Sequence, residues 1–217
     1  MATDLFVRAL GRADYEPTWR AMQAFTDARG DATTDEFWVV EHSPVFTLGR
    51  VARPEHVLDP GGIPLVQVDR GGQVTYHGPG QIVLYTMVDL RRRGLGVRGM
   101  VESLEAAVIE LLGRHGVTGA TWPGAPGVYI AGRKIAALGL RVRRGCTFHG
   151  LALNVDGDLS PFSRIDPCGY RGLEVTRTRD EGIAADRGTL ADELVAILAA
   201  RLGYRHVAAA SPELEPA

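Results

Sequence analysis

The sequence predicts an α/β or α+β fold, a mixed β-sheet flanked by helices. Three observations lead there: candidate strands outnumber candidate helices, hairpins mix with helical crossovers, and "QIVLYTMVDL" is apolar on both parities from Ile82 to Val88. A strand apolar on both faces belongs at the centre of a sheet that is covered on each side. No repeat of roughly 20–50 residues and no low-complexity run divides the chain. Residues 1–205 are therefore expected to form one domain and residues 206–217 a flexible tail.

The elements follow in order. "LFVRALG" near the start and "FWVVEH" at 37–42 are β-rich. Between them, "DYEPTWRAMQAFTDAR" places Trp19, Met22 and Phe25 at near-helical spacing, with Asp14 as the expected cap. "PLVQVDR" reads as a strand ahead of "QIVLYTMVDL". "VRGMVESLEAAVIELLGRHG" lines up Val101, Leu104, Val108 and Leu111 on one helical stripe and stops at Gly116. "GVYIAGRKIAALGLRV" predicts a hairpin turning at Gly132-Arg133, and "TFHGLALNV" the next strand. Thr189, with Asp192 three residues on, predicts the start of a last helix, "LADELVAILAARLG".

Composition narrows the function classes. With 45% hydrophobic residues in 217, the chain can bury a sizeable core. The 24 basic and 26 acidic residues nearly balance, which argues against a broad nucleic-acid-binding face. No uninterrupted apolar window is long enough to span a membrane, and a cytoplasmic protein is expected. In that compartment Cys146 and Cys168 read as thiols. Lys134 is the only lysine among the basic residues, which suggests a place where arginine would not serve.

Several residues could carry chemistry. The loop "DRGGQVTYHGPG" lacks a P-loop ending and leads into a strand, leaving a turn-rich connection or a backbone-lined pocket for a non-phosphate ligand. "IDPCGYRG" presents Cys168 between Pro167 and Gly169, a setting that suits a nucleophile and equally a cysteine buried beside a turn. Lys134 shares strand parity with Ala136, Leu138, Leu140 and Val142, so its ammonium should emerge at the rim of an apolar face, unless it is exposed on the hairpin turn. A cation that moved a thiol from a pKa of ~8.5 to ~7 would raise its thiolate fraction about 15-fold at neutral pH. Cys146 and His149 have C-x-x-H spacing but no second pair to complete a zinc site, so no metal is expected. His149 and His77 are each either packed or solvated, or polar groups of a pocket, and a protease-like Cys-His pair stays open. The arginine runs at 91–93 and 141–145 are either solvated faces or docking points for an acidic partner.

In this order, "RGGQVTYHGPGQIVLYTMVDLRR", "AGRKIAALGLRV", "HGLALNV" and "PCG" resemble the octanoyltransferases of lipoate biosynthesis, the lipoate-protein ligase B family. The resemblance runs from "EHSPVFTLGR" through "PCGYRGLEVT", over half of the chain. It implies a fold similar to the catalytic domain of biotin and lipoate ligases. It also implies an acyltransferase that moves an octanoyl group from octanoyl-acyl carrier protein to a lipoyl-domain lysine. The acceptors implied are lipoyl domains of 2-oxoacid dehydrogenase E2 subunits and the glycine cleavage H protein; a monomer is expected, with no cofactor, nucleic acid or membrane partner.

By the same resemblance, Cys168 is the acyl-thioester nucleophile and Lys134 lowers its pKa. The substrate pocket comprises Arg70, Gly71, Gly72, Gln73, Val74, Thr75, Tyr76 and His77, then Ala137, Leu138 and Gly139, then His149, Gly150, Leu151 and Ala152. The alternatives are an ATP-dependent lipoate or biotin ligase on the same fold, and a scaffold that only binds acyl carrier protein or lipoyl domains.

Overall fold

The computed structural model describes residues 4–214, with the side chain of Cys168 outside the described residues. Its strands are β1 (Leu5–Ala13), β2 (Asp35–His42), β3 (Val45–Leu48), β4 (Leu65–Gln67), β5 (Val74–His77), β6 (Gln81–Met87), β7 (Gly127–Ile130), β8 (Arg133–Arg143), β9 (Cys146–Asn154) and β10 (Val207–Ala209). The helices are α1 (Tyr15–Ala28), α2 (Val97–Arg114) and α3 (Arg187–Arg201). A seven-stranded mixed sheet has the order β10-β1-β2-β6-β9-β8-β7, and a smaller sheet the order β4-β3-β5. The expected mixed sheet with helices is thus observed.

β6 lies at the centre of the large sheet, buried along its whole length, as its two-sided apolar pattern requires. On one face α2 and α3 pack Leu104, Val108 and Leu194 against Leu84, Leu151 and Leu153. On the other, α1 packs Met22 against Trp38, Val83, Phe148 and Ala152. The small sheet meets α1 where Tyr15 and Trp19 pack on Val45 and Val68.

Four details differ from the sequence reading. Asp14 occupies the cap position of α1 but its carboxylate accepts the Ser43 hydroxyl at 2.8 Å instead of a helix amide. The cap of α3 is Asp186, which accepts both the backbone N–H and the hydroxyl of Thr189 at 3.0 Å. The β7–β8 hairpin turns on Ala131-Gly132, both left-handed at φ 49° and 82°, the pair of angles a tight two-residue hairpin turn needs. Within 206–217, set aside as a tail, Val207–Ala209 form β10 parallel to β1. Without that strand the edge of β1 would present unpaired amides. Arg8 also donates to Ser211 O at 2.8 Å, tying down the chain that follows.

The arginine runs are engaged within the molecule. Asp35, fully buried, accepts hydrogen bonds from Arg29 and Arg92 and from Tyr204 Oη at 2.7 Å, with Arg93 Nε 3.5 Å away. The Arg93 guanidinium also lies over the Tyr204 ring, 4.0 Å from its centroid. Arg143 forms a forked pair with Asp27 at 2.6 and 2.7 Å, and Arg144 donates to the Thr26 and Asp27 carbonyls. These contacts close loops onto α1 and onto the start of β2. Among the described residues no helix is long and apolar enough to cross a membrane.

Candidate functional site

A pocket opens between the α1 face of the large sheet and the segment leading into β5. Its floor is Val83 on β6, Ala137 and Gly139 on β8, and Gly150 and Ala152 on β9. These positions share the face that carries Tyr85 and Phe148, and most lack bulk, so the strand backbone itself forms the floor. Gly72, Gln73, Val74, Thr75 and His77 form the roof. Gly71 does not line the pocket; its N–H donates to Leu140 O at 2.9 Å and clips the loop to β8. A Cβ on Gly139 would fall 3.0 Å from both Gly71 O and Arg70 Cδ, so this close approach needs glycine there. Arg70 is buried and donates to Thr47 O at 2.7 Å, Thr47 Oγ1 at 2.8 Å and Gly71 O at 2.9 Å, which stiffens the roof.

An adjoining cavity shares Thr75, Ala137 and Ala152 with this pocket and adds Tyr76, Gln81, Lys134, Asn154, Phe162 and Pro167. Lys134 is 3% exposed, so the expectation of a lysine at the rim is corrected to a lysine inside the wall. Its Nζ donates to Pro126 O at 2.9 Å and lies 5.2 Å from the centroid of the Tyr129 ring. Its backbone is bridged to the 174–176 segment, N–H to Glu174 O at 2.8 Å and carbonyl from Thr176 N–H at 2.9 Å.

Pro167–Gly169 form a single 3-10 turn, held where Asp166 N–H donates to His56 O at 2.8 Å. Since Pro167 lines the cavity of Lys134, the backbone carries Cys168 to that cavity's edge. The thiol, and with it the expected Cys168–Lys134 contact, lies outside the described residues. Cys146 is a buried free cysteine at the far end of β9.

At the other end of the pocket stand Tyr15, His77, Tyr85 and His149. His149 has a left-handed backbone, φ 62°, inside β9. Strand alternation assigns position 149 to the α2 side with Leu151 and Leu153, yet its ring stacks on Phe148, which faces α1. The left-handed turn of backbone accounts for that switch, at the cost of local strain.

His149 Nε2 pairs with Asp69 Oδ1 at 3.0 Å, and Asp69 also accepts Trp19 Nε1 at 2.9 Å and Gln23 Nε2 at 3.3 Å. Burial lowers the pKa of His149 and Asp69 only partly offsets it, so the ring is neutral. Burial alone would raise Asp69, but the donors from His149 and Trp19 bring it below the usual carboxylate range. The network therefore assigns the proton to Nε2 and leaves Nδ1 as an acceptor. His77 is likewise kept neutral by burial, with His42 and Arg70 adding to the effect. Tyr85 donates to His42 Nε2 at 2.7 Å, and His42 Nδ1 donates to Ala13 O at 2.8 Å.

Of the residues the sequence singled out, the structure thus gathers Lys134, Arg70, Gly72–His77, Ala137–Gly139 and His149–Ala152 around two adjoining cavities. Tyr15, Asp69, Tyr85 and Gly127 were missed. Asp69 opened the glycine loop, one residue before the expected pocket segment, and Tyr85 stood on the same strand parity as Val83, so both could have been found from position alone.

The arrangement is a slot with a small-residue floor, ending at a buried lysine. It lies in a catalytic domain of the lipoate ligase and transferase class: the family described as "Lipoyl protein ligase A/B catalytic domain" matches residues 14–196. An octanoyltransferase of Alkalilimnicola ehrlichii is 63% identical over 83% of this chain and 84% of its own length. One of Methylococcus capsulatus is 60% identical over 94% and 98%. The chain belongs to the octanoyltransferase family, and it is a transferase. Among solved structures, lipoate-protein ligase A bound with ATP superposes with TM-score 0.77 at 16% identity, over 97% of this chain and 90% of that one. Biotin protein ligase from Aquifex aeolicus gives TM-score 0.54 at 11% identity, over 93% and 70%. At these identities the two structures establish the shared fold.

Proposed function

We propose that this enzyme transfers an octanoyl group from octanoyl-acyl carrier protein to the lysine of a lipoyl domain, through a thioester on Cys168. The observation that carries the reading is the small-residue slot that leads to buried Lys134, with the Pro167–Gly169 turn at its edge. A slim alkyl chain fits against backbone where side chains are missing. The thioester carbonyl then sits at the lysine end.

In the first half-reaction the Cys168 thiolate attacks the donor carbonyl, the bond to the pantetheine sulfur breaks, and the departing thiolate takes a proton from the Lys134 ammonium. In the second, the acceptor lysine amine attacks the Cys168 thioester, an amide forms, and the amine's proton returns to Lys134 as the Cys168 thiolate leaves. One thioester replaces another in the first step, so no ATP is required. The acceptors are lipoyl domains of 2-oxoacid dehydrogenase E2 subunits and the glycine cleavage H protein.

Intact mass after mixing with octanoyl-acyl carrier protein, without ATP, tests the reading. One octanoyl adduct is expected on the wild type and on Cys146→Ala, and none on Cys168→Ala. An adduct that persists in Cys168→Ala would overturn the nucleophile, and modification of a lipoyl domain that requires free octanoate and ATP would make the protein a ligase.

A further inference from the structure

The acyl slot and the cavity of Lys134 have three residues in common, Thr75, Ala137 and Ala152. Under the acyl-pocket reading above, the alkyl chain occupies the first and the chemistry of Cys168 and Lys134 the second, so the thioester carbonyl lies where the two meet. Ala137 and Ala152 pair with each other across β8 and β9, and each is paired on its other side as well, with Gly127 and Val83. Their side chains carry no polar atom, and their amides belong to strands paired on both edges. The Thr75 hydroxyl is the polar side-chain group of the junction. Strand alternation aims it there: Val74 and Tyr76 pack into the core of the small sheet with Phe46 and Phe162, which turns Thr75 and His77 toward the slot. The hydroxyl is also unclaimed. Its cross-strand neighbour Thr47 accepts Arg70 on Oγ1 at 2.8 Å, whereas Thr75 Oγ1 has no hydrogen-bond partner among the described residues. Unlike the Nδ1 atoms of His77 and His149, which are sealed in the wall, it keeps contact with the cavity.

We propose that Thr75 Oγ1 donates a hydrogen bond to the thioester carbonyl and stabilises the oxyanion that forms there during transfer. The inference rests on the acyl-pocket reading and deepens it by naming a side chain that acts on the reacting carbonyl. As the Cys168 sulfur bonds to the carbonyl carbon, the π pair moves onto the oxygen. Thr75 keeps its proton and donates to that charge, and the pair returns as the bond to the pantetheine sulfur breaks. The same donor serves the second half-reaction, in which the acceptor amine attacks the same carbonyl carbon and the bond to the Cys168 sulfur breaks. A β-branched side chain on a strand is held to few rotamers, so the donor is oriented before the charge appears.

The test is single-turnover acylation by octanoyl-acyl carrier protein, followed by intact mass, for the wild type, Thr75→Val and Thr75→Ser. Valine keeps the β-branched shape and replaces only the hydroxyl, by methyl; serine restores the hydroxyl. At saturating donor, Thr75→Val should acylate roughly 10²-fold more slowly, the scale of one lost oxyanion donor, with its half-saturating donor concentration within about threefold of the wild type's. Thr75→Ser should recover most of the rate. A merely structural role would slow both variants alike or raise the half-saturating concentration instead. Either result overturns the proposal, as does a wild-type rate in Thr75→Val. A wild type that forms no adduct overturns the thioester reading. Octanoyl transfer to a lipoyl domain by the same three forms, from free octanoate and ATP, then decides the donor, because the attacked carbonyl belongs to the same octanoyl group.

Discussion

A Cβ on Gly127 would lie 2.6 Å from Lys134 Cε and 2.9 Å from Lys134 Nζ, so the only lysine of the chain reaches its place through space that glycine leaves empty. Gly127 also has φ 146°, and its N–H donates to Glu105 Oε1 at 2.9 Å. The hairpin and α2 together hold the opening through which the lysine side chain passes.

Gly127→Ala should therefore act as a mutation of Lys134. Backbone Ala136 O, at 2.7 Å from the added Cβ, cannot yield, and the lysine must. Octanoyl transfer should fall by roughly 10²-fold, the scale of lost acid–base assistance, and match Lys134→Ala in assays of the two variants side by side. Unfolding should show a stability loss of about 1–3 kcal/mol from strain and crowding. Transfer at the wild-type rate would mean that the lysine's position is not set here.

What could be read from the chain, and what could not, follows from how each signal arises. β6, β9 and the stripe of α2 were legible because burial imposes a period on consecutive residues. Lys134 stood out for a different reason, as a single lysine in an arginine-rich chain. His149 was ambiguous because alternation holds only while the backbone stays extended, and a left-handed histidine leaves no mark in the sequence. Gly127 was hidden among neighbouring glycines and prolines whose turns need no lysine to explain them. The arginine runs looked solvated because their acidic partners, Asp35 and Asp27, are distant in sequence.

Asp35 should prove far more important to stability than the exposed pairs. Removing it in Asp35→Ala leaves Arg29, Arg92 and Arg93 facing one another with Arg29 almost wholly buried. An uncompensated buried charge costs about 3–5 kcal/mol. Arg143→Ala removes a half-exposed pair with Asp27 and should cost less than about 1 kcal/mol. Urea unfolding of the two variants decides it, and equal losses would contradict the contrast.

The buried histidines should make stability fall as the solution is acidified from neutrality. His42, fully buried, has its pKa lowered to about 4 by burial, against 6.5 for an exposed histidine. Between those values the unfolded chain binds a proton that the folded chain refuses, so the unfolded state gains stability as pH drops. Integrated from pH 7 to pH 5, this one residue removes about 2 kcal/mol. His77 and His149, lowered in the same direction, add to the loss. Asp69, whose pKa is lowered, acts in the same direction but adds to the loss only as the pH falls toward the ordinary carboxylate value of 3.8 and below. His42→Gln keeps an oxygen to receive the Tyr85 hydroxyl and an N–H for Ala13 O, but does not titrate. Its unfolding free energy should therefore change between pH 7 and pH 5 by about 2 kcal/mol less than the wild type's. An identical pH slope in the two proteins would show that His42 takes up its proton in the folded state, and that the Tyr85–His42–Ala13 chain opens to let it in.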